Sequence, residues 1–123
     1  MSRTLIVEDS ALYRKLLKET LLSRFPSMEI IEAEDGGIAM QKIDALSPDL
    51  VFMDIKLPGE NGLELTGKIK AKFPDAIVII LTSYDTLEYR EAAAQAKANH
   101  FLSKGSSSKE SILKLVESIL AGR

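Results

Sequence analysis

The stretch that decides the fold is Leu50-Val51-Phe52-Met53-Asp54, which continues into Ile55-Lys56-Leu57-Pro58-Gly59. Its apolar run predicts a short strand, and the Pro-Gly pair that follows indicates a turn. A carboxylate at the end of a buried run is costly unless its charge is used there. Asp54 therefore indicates a functional site as well as the end of a strand.

Three further short apolar runs end in polar side chains in the same way. They are residues 4–7 before Glu8 and Asp9, residues 76–81 before Thr82 and Ser83, and residues 100–102 before Ser103 and Lys104. If the runs are parallel strands, their carboxyl ends meet at one edge of one sheet. We therefore expect five groups to converge at that edge: Glu8, Asp9, Asp54, Thr82 and Lys104.

Segments with helical spacing of apolar residues separate the runs. Helices are predicted at residues 10–25, 35–46, 63–73, 85–97 and 107–119, and a further strand at residues 28–33. Their N-termini are indicated by Ser10, by Asp35 before two glycines, by Asp85 with Glu88, and by Ser107 with Glu110. The first helix is predicted to carry one apolar face, formed by Leu12, Leu16, Leu17, Leu21 and Phe25.

This alternation predicts an α/β fold with a doubly wound, five-stranded parallel sheet and five helices covering both faces. The expected strand order is 2-1-3-4-5, as in flavodoxin-like folds, and ligands then bind where the winding reverses, between the first and third strands. No repeat or linker interrupts the pattern, so residues 1–123 are expected to form a single domain.

The composition excludes several classes of protein. With 46% hydrophobic and 28% charged residues, the chain is typical of a globular domain. A net charge of -2 removes the general attraction to nucleic acid, and the lack of cysteine excludes disulfides and thiolate metal sites. The first apolar run is too short for a signal peptide or membrane anchor, so no membrane association and a cytoplasmic location are expected.

The residues expected at the sheet edge suit phosphoryl transfer. Glu8, Asp9 and Asp54 would repel one another unless a hard cation such as Mg²⁺ bound them, together with the backbone carbonyl of Lys56. Because the two acids are adjacent, one of them could bind directly and the other through water. A carboxylate can also attack phosphorus, while a lysine and a hydroxyl balance the charge. No side chain remains as a strong base for a second substrate, so a turnover enzyme is not expected.

Taken in order, these motifs resemble the response regulator receiver domains of two-component signalling, of the chemotaxis-regulator type. The resemblance covers essentially the whole chain. It rests on Leu5-Ile6-Val7-Glu8-Asp9, on Asp54 followed by Leu57-Pro58-Gly59 and Gly62, on Leu81-Thr82-Ser83, and on Phe101-Leu102-Ser103-Lys104. It implies that Asp54 is the phosphoacceptor, that Glu8 and Asp9 bind metal, that Lys104 contacts phosphate, and that Thr82 and Phe101 form a switch.

The resemblance also implies the partners. A histidine kinase or a phosphotransfer protein would supply the phosphoryl group, and the surface of the fourth helix, fifth strand and fifth helix would change shape to control a downstream protein or an output domain. A phosphorylation-linked homodimer is a further option, and some relatives continue into a DNA-binding domain. This domain itself is not expected to bind nucleic acid.

Two details are particular to this chain. Lys56, Ser83 and Tyr84 are expected to flank the phosphoryl group, and we expect Lys56 and Tyr84 to slow the attack of water on it. Lys97 and His100 stand where relatives often have glycine. A positive backbone dihedral angle is therefore less expected there.

Three alternatives belong to other classes. A receiver-fold interaction module that works without phosphorylation usually lacks an acid, the phosphoacceptor or the lysine, and none of these is missing. A phosphatase with a DxDxT motif needs a second acid where Lys56 stands. A flavin carrier needs a phosphate-cradling loop, and the sequence around Gly36-Gly37 does not match one.

Overall fold

The computed structural model describes residues 2–122 and contains the predicted elements, with ends that differ from the predicted ones by at most two residues. The strands are β1 (Arg3–Val7), β2 (Glu29–Ala33), β3 (Leu50–Met53), β4 (Ile77–Thr82) and β5 (His100–Ser103). The helices are α1 (Ala11–Arg24), α2 (Gly36–Leu46), α3 (Gly62–Lys72), α4 (Leu87–Gln95) and α5 (Lys109–Ala121). None of these helices is long and apolar enough to cross a lipid bilayer.

The sheet is parallel throughout, and its strand order is β2-β1-β3-β4-β5. Side chains alternate across β3, as the strand period of two requires. Val51 and Met53 pack with buried residues of α2, α3 and α4, whereas Leu50 and Phe52 pack with those of α1 and α5. Both faces of the sheet are therefore covered, which confirms the predicted doubly wound fold and explains why its strands are apolar throughout.

The buried face of α1 is narrower than predicted. Leu17 and Leu21 are buried, but Leu12 and Leu16 remain 67% and 43% exposed. Adjacent residues in a helix point about 100° apart, so Leu16 and Leu17 cannot both face the sheet. The side chain that continues the buried row one turn before Leu17 is Tyr13, which packs against the same core.

Two predicted helix caps are displaced by one residue. Thr86, not Asp85, caps α4, and Ser108, not Ser107, caps α5. Asp85 instead forms an ion pair with Arg90. Only the residue immediately before the first helical turn can direct its side-chain oxygen to the free N–H groups of that turn. Where several polar residues follow one another, the sequence does not show which of them is the cap. The predicted cap of α1, Ser10, is confirmed, and α2 begins where predicted, with Asp35 as its cap.

Lys97 ends α4 in the left-handed conformation, with a φ of 70°. The N–H of Ala98 donates to the carbonyl of Ala93, and the N–H of Lys97 to that of Ala94, both at 3.0 Å. These two bonds form a Schellman motif, which places the residue after the C-cap in the left-handed region. The expectation that a lysine would disfavour a positive dihedral angle here is wrong, because the two bonds outweigh the cost.

We expect Lys97→Gly to stabilise the domain by about 1 kcal/mol, since glycine adopts this conformation without the steric cost of a Cβ atom. Urea denaturation measures the change. Lys97→Ala is the matched control, because it removes the same exposed side chain but keeps the Cβ atom. Equal stabilities of the two variants would contradict the prediction.

Candidate functional site

The sheet holds the main chain of the site in place. Val7 and Met53 are paired in the parallel register of β1 and β3, so Glu8 and Asp54 follow adjacent strands. The Asp54 N–H donates to the Val7 carbonyl at 3.0 Å. The side chains of Glu8 and Asp54 are buried, with 3% and 7% of each residue exposed. Both acids are thus held in a pocket at the carboxyl edge of the sheet.

Three carboxylates converge in this pocket, as the sequence predicted. Glu8, Asp9 and Asp54 each offer an oxygen, and the three oxygens lie within 4.8 Å of one another. Asp9 is exposed, so the group is open to solvent on one side. A set of oxygen donors without nitrogen or sulfur suits a hard divalent cation, and Mg²⁺ keeps several waters when it binds such sites. The residues present therefore fit Mg²⁺.

Lys104 places its ammonium group in the pocket. Its Nζ donates to Glu8 Oε1 and to Asp54 Oδ2, the latter at 3.1 Å. Its backbone N–H donates to the carbonyl of Thr82 at 2.8 Å, which fixes the start of the side chain beside β4. The lysine thus bridges two of the three acids. These residues are far apart in the sequence, and the parallel sheet brings them together.

The charged groups of the pocket shift one another's pKa values. Burial raises the pKa of Glu8, although the bonds from Lys104 and from the Ser10 N–H act in the opposite direction. Burial by itself would lower the pKa of Lys104, but the bonds to Glu8 and Asp54 outweigh it and raise that pKa. The ammonium therefore stays protonated at neutral pH, while Asp54 adds repulsion to Glu8.

The loop after β3 orients the Asp54 carboxylate. Its Oδ1 accepts a hydrogen bond from the Ile55 N–H at 2.7 Å. The Gly62 N–H donates to the Ile55 carbonyl at 2.8 Å, which holds the start of α3 against this loop. A Cβ atom on Gly62 would lie 1.9 Å from the Asp54 carbonyl oxygen. In the sequence Gly62 was only one residue of the motif after Asp54. In the structure, the absence of a side chain at Gly62 is what allows α3 to start so close to the Asp54 carbonyl.

Thr82 and Ser83 lie at the carboxyl end of β4, at the same sheet edge as Asp54. Thr82 is fully buried at the end of β4, and its hydroxyl accepts a hydrogen bond from the Tyr84 N–H at 3.3 Å. Ser83 is exposed. Within residues 2–122, neither side chain forms a hydrogen bond to Asp54. These hydroxyls are therefore neighbours of the acidic pocket and not part of its hydrogen-bond network.

Lys56 extends from the loop after β3 to the start of α4. Its ammonium lies 5.3 Å from the ring centre of Tyr84 and 5.5 Å from that of Tyr89. The two rings meet edge to face with their centres 6.3 Å apart. The Tyr89 hydroxyl raises the pKa of Lys56. Sequence reasoning missed Tyr89, because only the turn between β4 and α4 brings it beside Tyr84.

Phe101 is the second residue of β5. Its half-buried ring packs against the core on the α2–α4 side of the sheet. The Arg90 guanidinium lies 4.6 Å from the ring centre, and Asp85 holds Arg90 through hydrogen bonds of 2.6 and 3.1 Å. The ring is therefore covered by a charged pair on α4 and its preceding loop.

The chain is similar in sequence to several known signalling proteins. The sequence profile of the response regulator receiver domain matches residues 4–117. A cyclic di-GMP phosphodiesterase of Thermotoga maritima is 35% identical over 100 residues, which are 81% of this chain and 26% of that protein. A DNA-binding transcriptional activator of Escherichia coli, EvgA, is 29% identical over 120 residues, 97% of this chain and 56% of that protein.

Among solved structures, a CheY-like receiver domain protein from Methanospirillum hungatei superposes with a TM-score of 0.90 at 28% identity, covering 99% of this chain and 95% of that one. The curated relatives are longer. The chain spans 26% of the Thermotoga protein and 56% of the Escherichia protein. The similarity therefore concerns one domain of those proteins, and their names describe whole chains.

Proposed function

Because this chain belongs to the response regulator receiver domains of two-component signalling, we propose that it is a switch operated by phosphorylation of Asp54. The observation that carries the proposal is the pocket itself. Three carboxylate oxygens lie within 4.8 Å of one another, and Lys104 bonds to two of the three acids. A receiver-fold module that works without phosphorylation has no need of this arrangement.

In the proposed reaction, an oxygen of Asp54 attacks the phosphorus of a phosphohistidine on a histidine kinase or phosphotransfer protein. A new P–O bond forms while the P–N bond breaks, and its electron pair stays on the histidine nitrogen. The Lys104 ammonium faces the developing charge on the phosphoryl oxygens. Later attack of water on phosphorus breaks the P–O bond to Asp54 and releases phosphate. The protein thus returns to its starting state and acts as a switch, not as a turnover enzyme.

Glu8, Asp9, Asp54 and the Lys56 carbonyl would hold Mg²⁺ in this proposal. Mg²⁺ supplies positive charge next to the transferred phosphoryl group. Glu8 already accepts hydrogen bonds on both oxygens, from Lys104 and from Ser10. Asp9 forms no hydrogen bond within residues 2–122, so we expect Asp9 to bind the metal directly and Glu8 to act through water.

Incubation with Mg²⁺ and a small acyl-phosphate donor tests the function. The intact mass of the protein is expected to increase by one phosphoryl group, and a metal chelator should prevent the increase. Hydroxylamine, which cleaves acyl phosphates, should remove the added mass. A protein that binds Mg²⁺ but gains no mass from the donor would contradict the proposal and favour the interaction module.

Lys56 and Tyr84 are proposed to slow the loss of the phosphoryl group, because each lies two residues after a residue of the sheet edge, Asp54 or Thr82, where its side chain would shield the phosphoryl group from water. The contact of the Lys56 ammonium with the Tyr84 ring supports this role. Lys56→Ala and Tyr84→Ala are each expected to increase the dephosphorylation rate several-fold, measured by the decay of the phosphorylated mass. Lys114→Ala, which removes an exposed lysine from α5, is the control. Unchanged rates in both variants would rule the idea out.

The output of the switch is proposed to be the surface formed by α4, β5 and α5. Movement of the Thr82 hydroxyl towards the phosphoryl group would free space for the Phe101 ring, which now lies under Arg90. Such a surface could bind a downstream protein, an output domain or a second copy of the chain.

Phosphorylation should shift the backbone amide NMR signals of α4 and α5 in the wild type and in Phe101→Tyr. It should leave them nearly unchanged in Phe101→Ala, because no ring is present to follow Thr82. Full shifts in Phe101→Ala would show that the ring does not carry the change.

A further inference from the structure

The Lys104 ammonium has a third neighbour besides the two acids. The ring centre of Tyr13 lies 4.1 Å from Nζ, the shortest such distance among the cation–ring contacts of residues 2–122. An aromatic ring attracts a cation over its face within about 6 Å. The ammonium has three donors, and Glu8 and Asp54 take two of them. The ring is therefore a third contact of the ammonium, in addition to its two hydrogen bonds.

The backbone and the core hold this ring in place. Tyr13 is the third residue of α1, and its N–H donates to the capping hydroxyl of Ser10 at 3.2 Å. The side chain is half-buried and continues the row of Leu17 and Leu21, four residues apart, up to the edge of the acidic pocket. Burial also raises the pKa of Tyr13, which keeps the phenol neutral. The ring is thus preorganised before any phosphoryl group arrives.

We propose that Tyr13 is a positioning residue whose ring holds the Lys104 ammonium in the pocket, ready to meet the phosphoryl group on Asp54. The inference rests on the proposed function, because it assigns a role in that reaction. A lysine side chain has many rotamers when it is free in solvent, so a fixed contact keeps the ammonium in the pocket. The contacts with Glu8 and Asp54 change when the phosphoryl group and the metal arrive. The contact with the ring does not have to change.

The proposal requires the ring and not the hydroxyl. Tyr13→Phe should therefore keep the function, whereas Tyr13→Leu and Tyr13→Met fill the same part of the core without a π face. Two such replacements are used so that one folded variant remains if the other is unstable. Urea denaturation identifies which variants are folded under the assay conditions.

The first measurement does not depend on phosphorylation. In NMR spectra, the ring current of Tyr13 should move the signals of the Lys104 ε-methylene protons upfield, and Lys104→Arg assigns them by their loss. The upfield shift should persist in Tyr13→Phe and disappear in Tyr13→Leu and Tyr13→Met. Lys104 signals that are the same in all four proteins would overturn the proposal.

The second measurement is the rate of phosphorylation by a small acyl phosphate with Mg²⁺. We expect a several-fold decrease in Tyr13→Leu and Tyr13→Met, and a rate within twofold of wild type in Tyr13→Phe. In a Lys104→Met background, the Tyr13 replacements should cause no further decrease, because Tyr13 acts through Lys104. A decrease of equal size in both backgrounds, or none in the wild-type background, would overturn the positioning role.

The two proposals fail in different ways. If no variant and not even the wild type takes up a phosphoryl group, the proposed function fails, and with it the role of Tyr13 in the reaction, even where the ring-current result stands. If the wild type is phosphorylated but Tyr13→Leu matches its rate, only the role of Tyr13 fails.

Discussion

Asp54→Asn is expected to gain no mass when it is incubated with Mg²⁺ and a small acyl phosphate that phosphorylates the wild type. An amide oxygen is a poor nucleophile and carries no charge for a metal ion, so the variant loses both proposed roles of the side chain. We expect the phosphorylation rate to fall by at least 10³-fold, which corresponds to roughly 4 kcal/mol in the activation free energy.

The loss should not come from unfolding. Asparagine has the shape of aspartate, and its side-chain oxygen can still accept the hydrogen bond from the Ile55 N–H, now made to Asp54 Oδ1. The backbone bond from residue 54 to Val7 is also unaffected. The replacement loses the hydrogen bond from Lys104 to Asp54 Oδ2 but also removes a repulsive charge from beside Glu8. Because these two changes oppose each other, the stability of the variant should be close to that of the wild type.

Two controls make the result specific to this site. Asp75→Asn changes an exposed aspartate before β4, at the opposite edge of the sheet, and should leave phosphorylation unchanged. Asp9→Asn keeps the proposed nucleophile but removes a proposed metal ligand, and it should react slowly at the same residue. Peptide mapping identifies the modified residue. A phosphoryl group on Asp54→Asn at the wild-type rate would refute the assignment of Asp54.

Gly62→Ala is expected to destabilise the domain by at least about 3 kcal/mol, the upper part of the range for overpacked sites. The added Cβ atom would lie 1.9 Å from the Asp54 carbonyl oxygen and 2.9 Å from its carbonyl carbon. These are backbone atoms at the end of a buried strand, so they cannot rotate away as a flexible side chain could. Either α3 or the loop after β3 has to move, and the second movement would displace Asp54.

The same helix supplies the matched control. Gly67 also lies in α3, but a Cβ atom there would meet nothing within 4 Å. Gly67→Ala should therefore stabilise the helix by up to roughly 1 kcal/mol, since alanine has the higher helix propensity. Urea denaturation of both variants measures the difference. A Gly62→Ala protein as stable as Gly67→Ala would show that the close approach to Asp54 is absent in solution.

The architecture could be predicted from the sequence because it depends on repeated patterns. Short apolar runs alternate with helical segments, and this order allows few arrangements other than a doubly wound parallel sheet. Once the strands are parallel, their carboxyl ends must share an edge. The meeting of Glu8, Asp9, Asp54 and Lys104 therefore followed from the sequence before any distance was known. The roles assigned to these residues stay predictions until the phosphorylation experiments are done.

Several contacts were decided only by the tertiary structure. The sequence could not show which of Asp85 and Thr86 caps α4, or that Lys97 would take a positive φ. Likewise, no pattern in the sequence indicates that Tyr13 lies over Lys104 or that Tyr89 lies beside Lys56.

The physical reason is that the fold depends on a repeated spacing of apolar residues, whereas each of these contacts depends on the packing of two individual side chains. Apolar spacing is repeated along each helix and strand, so many residues indicate the same element. A wrong interpretation of one residue therefore changes the predicted fold little. A ring over an ammonium depends on how one helix is rotated against one strand end, and a one-residue change in that rotation removes the contact. The sequence alone therefore determined the sheet and the edge where the acids meet, and packing alone decided which neighbours surround them.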